Sequence, residues 1–274
     1  MTATRQALGR WPNAPLALVL AQVRFEPTTE NSPQLLAERI KQRTGSSYPH
    51  SIPLQQISFF VGQGNQPSIP HMPETAGIDL RNSAYVEAIR LQLGALTFTT
   101  SDYQHSADFA VQWRSLMDAL CGTSELRVLR LGMRYVDFII PSAGHVPEDY
   151  FLDGLGRSPA ALGEQSPIAF NLYDYARPDG GQLRVQFGRG FGPPGLPPDL
   201  QDTVLPPVRL STKSDSSLSA VLDMDRWRPC NEDMSAETIT NAIEDLRLDI
   251  ASSFKSIMSQ LAFSEWQNPP TERR

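Results

Sequence analysis

The run "VLRLGMRYVDFI" at residues 128–139 places the tightest limit on how this chain can fold. Apolar and polar residues alternate along it, and successive side chains of a strand point to opposite faces. Leu129, Leu131, Met133 and Tyr135 therefore share one face, with Arg130 and Arg134 on the other. The pattern recurs along the chain. Val19, Ala21, Val23 and Phe25 oppose Gln22 and Arg24, and Ile57, Phe59 and Val61 oppose Gln56 and Ser58. Ile89, Leu91 and Leu93 oppose Arg90 and Gln92, while Leu183, Val185 and Phe187 oppose Arg184 and Gln186. Ala220, Leu222 and Met224 oppose Asp223 and Asp225. Such regular alternation predicts an antiparallel sheet with one face packed and the other facing water. Arg134 then needs no place in a core, because it projects from the face that no helix covers.

Helical signals fall between these strands. In "SPQLLAERIKQRTG" (32–45), Ser32 suits an N-cap, Pro33 the first turn and Gly45 the stop. "SADFAVQWRSLMDALCG" (106–122) repeats Phe109, Trp113, Leu116 and Leu120 at helical spacing. Residues 235–263 carry Ile239, Ile243, Leu246, Ile250, Phe254, Ile257 and Leu261 on one stripe and predict the longest helix. "PEDYFLDGLG" (147–156) predicts a short helix. Strands are predicted over 16–25, 55–62, 87–103, 128–140 and 219–227, with a hairpin over 167–191 about the turn "RPDGG". Residues 63–80 read as a Pro-rich loop and 192–207 as a Pro/Gly loop, which with the preceding "GRGF" makes the 188–207 stretch a contact-arm candidate.

Residues 1–124 and 125–274 thus each read strand, short helix, several strands, long helix. The opening strands share a local pattern, "VRF" at 23–25 and "MRY" at 133–135. The expected fold class is α+β: a mostly antiparallel sheet with helices on one face, built from two similar halves as a pseudo-dimer in one compact unit.

"NAPLALVLAQVRFEP" (13–27), the tryptophan of "QWRSLMDAL", the central "LGMRYVDFI", and "LDMDRW" ahead of a long helix with Phe254 carry a resemblance. The chain resembles a sporadically distributed, functionally uncharacterised bacterial family of about this length. The resemblance covers most of the chain and implies no activity. Where members of that family often carry Asn after the Arg-Tyr-aliphatic run, this chain carries Asp137.

The polar face is where function is expected. Arg24, Arg90, Arg130, Arg134 and Arg184, interleaved with Gln22, Gln56, Gln92 and Gln186, favour a planar guanidinium fork suited to carboxylates, phosphates and aromatic faces. Trp227 shares the parity of Asp223 and Asp225 and is a contact anchor beside that face. The first reading is a non-enzymatic binding or accessory protein holding an anionic small ligand or a protein partner, with no cofactor. The same arginines could instead simply pair with Asp137, Asp223 and Asp225. The alternative function is a metal-dependent enzyme on nucleotides or nucleic acid, with Asp137, Asp223 and Asp225 as ligands. Asp223 and Asp225 would stand roughly 6.5–7 Å apart along their strand.

Composition trims these options. A net charge of −6 counts against duplex coating, since non-specific affinity comes from neutralising phosphates. His50, His71, His105 and His145 lack metal-ligand spacing, and "GQGNQP" and "GRGFGPPG" lack a phosphate-loop context. Cys121 and Cys230 have no zinc-type spacing and read as thiols in a reducing compartment. No run of about 18 apolar residues predicts a membrane span, and no signal-peptide pattern opens the chain, so a cytoplasmic protein is expected.

Overall fold

The computed structural model describes residues 11, 13–56, 74–152, 155–157, 168–201, 206 and 217–267. In chain order these form β1 (Leu16–Phe25), α1 (Pro33–Thr44), β2 (His50–Gln56), β3 (Glu74–Arg81), β4 (Glu87–Gln92) and β5 (Ala95–Thr100). There follow α2 (Ser106–Cys121), β6 (Leu126–Ile139), β7 (Ala169–Ala176), β8 (Gln182–Phe191), β9 (Leu218–Met234), α3 (Ala236–Ile257) and α4 (Gln260–Gln267). The nine strands make one sheet in the order β2-β3-β4-β5-β1-β6-β9-β8-β7, and every neighbouring pair is antiparallel. The fold is α+β, as the alternation predicted.

The seam of the sheet is the β1–β6 pair, where Gln22 lies opposite Gly132 and Val23 opposite Leu131. One core runs beneath both sides of that seam. Val19, Ala21, Val23 and Phe25 of β1, Leu131 and Met133 of β6 and Leu222 and Met224 of β9 meet helix residues from α1, α2, α3 and α4 in a single buried cluster. Helices therefore cover one face. Local signals set their ends: the Ser32 hydroxyl accepts from the Leu35 amide at the start of α1, and Ser235 accepts from Thr238 at the start of α3. Gly122, at φ +61°, ends α2 and donates its amide to the Asp118 carbonyl.

The structure departs from the sequence reading in several places. Residues 74–81 form strand β3 where a loop was expected. Its ladder to β4 pairs Ile78 with Leu91 and Leu80 with Ile89 across the sheet, a partner that local pattern does not show. Within the predicted short helix 147–156, Pro147–Tyr150 form a 3-10 turn and Phe151 turns extended, while Asp153 and Gly154 lie outside the described residues. β9 runs on to Met234, past the expected end at 227, because beyond a bulge its ladder to β6 resumes and ends at the Leu126–Met234 pair. The long C-terminal helix is two helices: Met258 turns extended and bridges Phe151, with the Ile257 carbonyl accepting from Leu152 and the Ser259 amide donating to Tyr150. Leu129, expected in the core, is exposed, because a bulge between Val128 and Arg130 shifts the register against β9. Val128 takes the inward place instead. Leu93 lies in the β4–β5 turn and is exposed. The expected inward set Ile57, Phe59 and Val61, the opposing Ser58, the side chain of Gln56, "GQGNQP" and His71 all lie outside the described residues.

Candidate functional site

Parity sorts the face opposite the helices as expected for most of its residues, but that face is not bare. Leu18, Val136, Phe138 and Leu200 form a second small apolar cluster there, with Leu20, Leu196 and Val221 at its margin. The segment after β8, which includes the 3-10 turn Pro198–Leu200, is its roof. The Pro/Gly loop thus closes down on the sheet where open sheet was expected.

Arg134 lies under this roof and is only 8% exposed. Its Nε and Nη2 donate to Asp223 Oδ1 and Oδ2 at 2.7 and 2.6 Å. Its Nη1 and Nη2 reach Asp199 Oδ2 and Oδ1 at 2.5 and 3.0 Å. Burial works against the Arg134 charge, yet the bonds to Asp223 and Asp199 hold its pKa above the ordinary value. Asp223, 1% exposed, also accepts from Gln186 at 3.3 Å. Burial pushes the Asp223 carboxyl up, against the downward pull of Arg134. Arg134 therefore ties the loop to the sheet, which answers its place in an otherwise apolar strand.

Two other arginines are held in the same way. Arg184 meets Asp174 across β7–β8 through Nε and Nη2 at 2.8 and 2.9 Å. Arg90 Nε donates to the buried Asp79 at 3.1 Å across β3–β4. The charged rows follow the register, since Arg134, Asp225 and Arg184 are successive partners across β6, β9 and β8. Three of the five arginines thus pair with carboxylates, but only Arg134 does so with one of the expected partners, Asp223; Arg184 and Arg90 take Asp174 and Asp79 instead.

Arg24 and Arg130 differ. They are register partners on β1 and β6, so two guanidinium groups stand directly opposite each other. Like charges so placed repel. Arg130 lies over the Trp227 ring at 4.8 Å, its Nε has no hydrogen-bond partner, and no ion pair of either arginine occurs among the described residues. Burial lowers the Arg130 pKa; Asp225 raises it and Arg24 lowers it further. A groove of about 290 Å³ gathers Gln22, Arg90, Gln92, Arg130, Arg134 and Asp225. Arg24 borders it from the exposed end of β1, while Arg184, Gln186 and Trp227 lie beyond its β9 side. Gln22 is committed to Thr97 Oγ1 at 3.0 Å.

The three carboxylates of the alternative do not converge. Asp223 and Asp225 face the arginines, but Asp137 lines a cleft on the helix side together with Tyr135. Asp137 is one residue on from Val136, which sits in the second cluster, and neighbours in a strand take opposite faces. No group of three His, Cys, Asp or Glu residues among the described ones is disposed to hold a metal ion.

Sequence reasoning missed the ion pairs of the helix side, which are buried or half-buried. Arg226 donates to Asp249 of α3 at 2.7 Å and to Asp179 of the β7–β8 turn at 2.6 Å, and Arg177 forks onto the same Asp249 at 3.1 Å twice. Arg189 pairs with Glu148, both buried. The available signal was parity: Arg226 and Arg189 fall on the apolar side of their strands and need inward partners. Among the described residues, no helix is long and apolar enough to cross a membrane. No family model matches the chain, and no match is found among curated proteins.

Proposed function

We propose that this chain is a non-enzymatic binding protein that holds a small anionic group, a carboxylate or a phosphate, between Arg24 and Arg130 at the groove on the roofed face of the sheet. The observation that carries this reading is the facing pair of guanidinium groups, neither of which forms an ion pair among the described residues, with Asp225 acting on Arg130 only through its field across the groove. Their mutual repulsion costs stability in the free protein, and a bound anion converts that cost into two charge-assisted hydrogen bonds. Trp227 braces the Arg130 guanidinium from one side, so little side-chain freedom is lost on binding. Arg90, Arg134 and Arg184 are already neutralised and serve as scaffold.

The test is calorimetric titration with inorganic phosphate and with citrate in low-chloride buffer. Saturable binding that weakens with added salt and disappears in the Arg24→Gln/Arg130→Gln double variant supports the reading. Identical titrations of the double variant and the wild type overturn it.

A protein partner is the second reading, favoured by the β7 edge. Phe170, Leu172 and Tyr175 are exposed there, and β8 is the only strand paired with β7 among the described residues. An added strand would satisfy that edge. Loss of a captured partner on Leu172→Lys, with anion binding intact, would favour it. The two halves also read as a duplication. Gln22 and Gly132 are register partners and immediately precede Val23–Phe25 and Met133–Tyr135, so a local two-fold at that pair exchanges the two tripeptides. The free thiols Cys121 and Cys230 support a reducing, cytoplasmic setting.

A further inference from the structure

A cleft of about 490 Å³ opens on the opposite side of the sheet, where β1 begins and β5 and β6 end, between α2 and α3. Its volume suits a small organic molecule. Trp11, Tyr103, Tyr135 and Phe254 line it, with the Trp11 and Phe254 rings 5.9 Å apart and the Tyr103 and Tyr135 rings 5.8 Å apart. Tyr135 donates its hydroxyl to that of Tyr103 at 3.2 Å, so these two polar groups satisfy each other.

Asp137 differs, because one of its carboxyl oxygens, Oδ2, has no hydrogen-bond partner among the described residues. It lines the cleft and is only 3% exposed. A buried carboxyl in that state is costly unless something meets it. The cations in the lining do not serve. Arg247 is held in a fork by Glu244, to which its Nε and Nη2 donate at 2.6 Å each, and Lys255 is exposed on α3. Asp223, on the neighbouring strand, adds negative charge behind Asp137. An aromatic-walled cleft with one buried, uncompensated carboxyl calls for a flat ring that brings its own positive charge.

We propose that this cleft is a second binding site, taking a small aromatic ligand that carries an amine or amidine, with Asp137 as its counter-charge. The ring lies among Trp11, Tyr103 and Phe254, where cation–π attraction adds to stacking. The amidine or ammonium donates to the Asp137 carboxylate.

In the free protein, burial and the Asp223 charge push the Asp137 carboxyl up to about 8. A cationic ligand selects the ionised form, so binding releases a proton and tightens as pH rises toward 8. A neutral hydrogen-bond acceptor would select the protonated form and weaken over the same range. The other titratable or charged groups facing the cleft are Asp102, Tyr103, His105, Tyr135, Arg247 and Lys255. The pH dependence assigned to Asp137 must therefore vanish when that residue alone is replaced.

The probes are benzamidine, benzamide and benzoate, which share a ring and differ in charge, titrated calorimetrically in two buffers of different ionisation enthalpy. Expected is saturable binding of benzamidine with proton release, about tenfold tighter than benzamide at pH 8.5. Asp137→Asn should erase both the preference and the proton release. Ala251→Phe, which fills the cleft and leaves Asp137 in place, should abolish binding while circular dichroism shows the fold retained. Benzamide or benzoate binding as well as benzamidine, benzamidine binding unchanged in Asp137→Asn, or no saturable binding of benzamidine would each overturn the proposal.

Discussion

Replacing Arg134 with alanine should unfold this protein at much lower denaturant, and the deficit should depend on pH. The substitution removes two bonds to Asp223 and two to Asp199. The Asp199 side chain is 64% exposed, so its share is screened and worth no more than about 1 kcal/mol. Asp223 is a different case, because it stays buried with, among the described residues, the Gln186 amide at 3.3 Å as its remaining partner. Breaking one partner out of a buried pair costs about 3–5 kcal/mol. The pH sign follows from the state of Asp223. Without Arg134 its folded-state pKa rises further above the unfolded value, so the variant keeps its stability at acid pH and loses it as pH climbs. Urea unfolding followed by far-ultraviolet circular dichroism at pH 5 and pH 8 measures both effects. The expected loss is about 3–5 kcal/mol at pH 8 and clearly less at pH 5. Arg134→Met combined with Asp223→Leu should recover most of it, since no buried charge is then left alone. A loss under about 1 kcal/mol, or one equal at the two pH values, would refute the assignment of Arg134 as the tie between loop and sheet.

Asp249→Ala should cost about 1–3 kcal/mol by the same urea titration, because Arg226 and Arg177 both lose a shared, partly exposed carboxylate while Arg226 keeps Asp179. Gly181→Ala should cost about 1–3 kcal/mol, read as a fall in melting temperature, since a Cβ there overlaps the Trp227 carbonyl oxygen and crowds the Arg226 guanidinium. Asp137 has a folded-state pKa near 8, far above an ordinary carboxyl, so wild-type stability should decline between about pH 4 and pH 8. Asp137→Asn should flatten that decline, by up to about 1.4 kcal/mol per pH unit, and be the more stable protein at pH 8. An unchanged slope in the variant would show that other groups produce it.

Much of this architecture is written in short-range pattern. The alternation of β1, β4, β6, β8 and β9 places each arginine of the candidate set on the correct face, and the caps of α1 and α3 fall where Ser32 and Ser235 stand. Those features are legible because strand parity and capping depend on neighbours within a few residues. Asp137 was legible too: its parity puts it with Tyr135 on the helix side, so grouping it with Asp223 ignored the strand's own geometry.

Other features depend on residues far apart in sequence. The break at Met258 exists because Phe151 bridges it, and the bulge at Leu129 because β9 carries an extra residue against β6. The roof over Arg134 needs Asp199 and Leu200 folded back across the sheet. Which arginines are paired and which are left facing each other is set by strand register, and register is a tertiary quantity. The residues alone thus determined which side of the sheet each side chain takes. Only the assembled sheet decided its neighbours, because hydrogen-bonded ladders align residues that the chain itself keeps tens of positions apart.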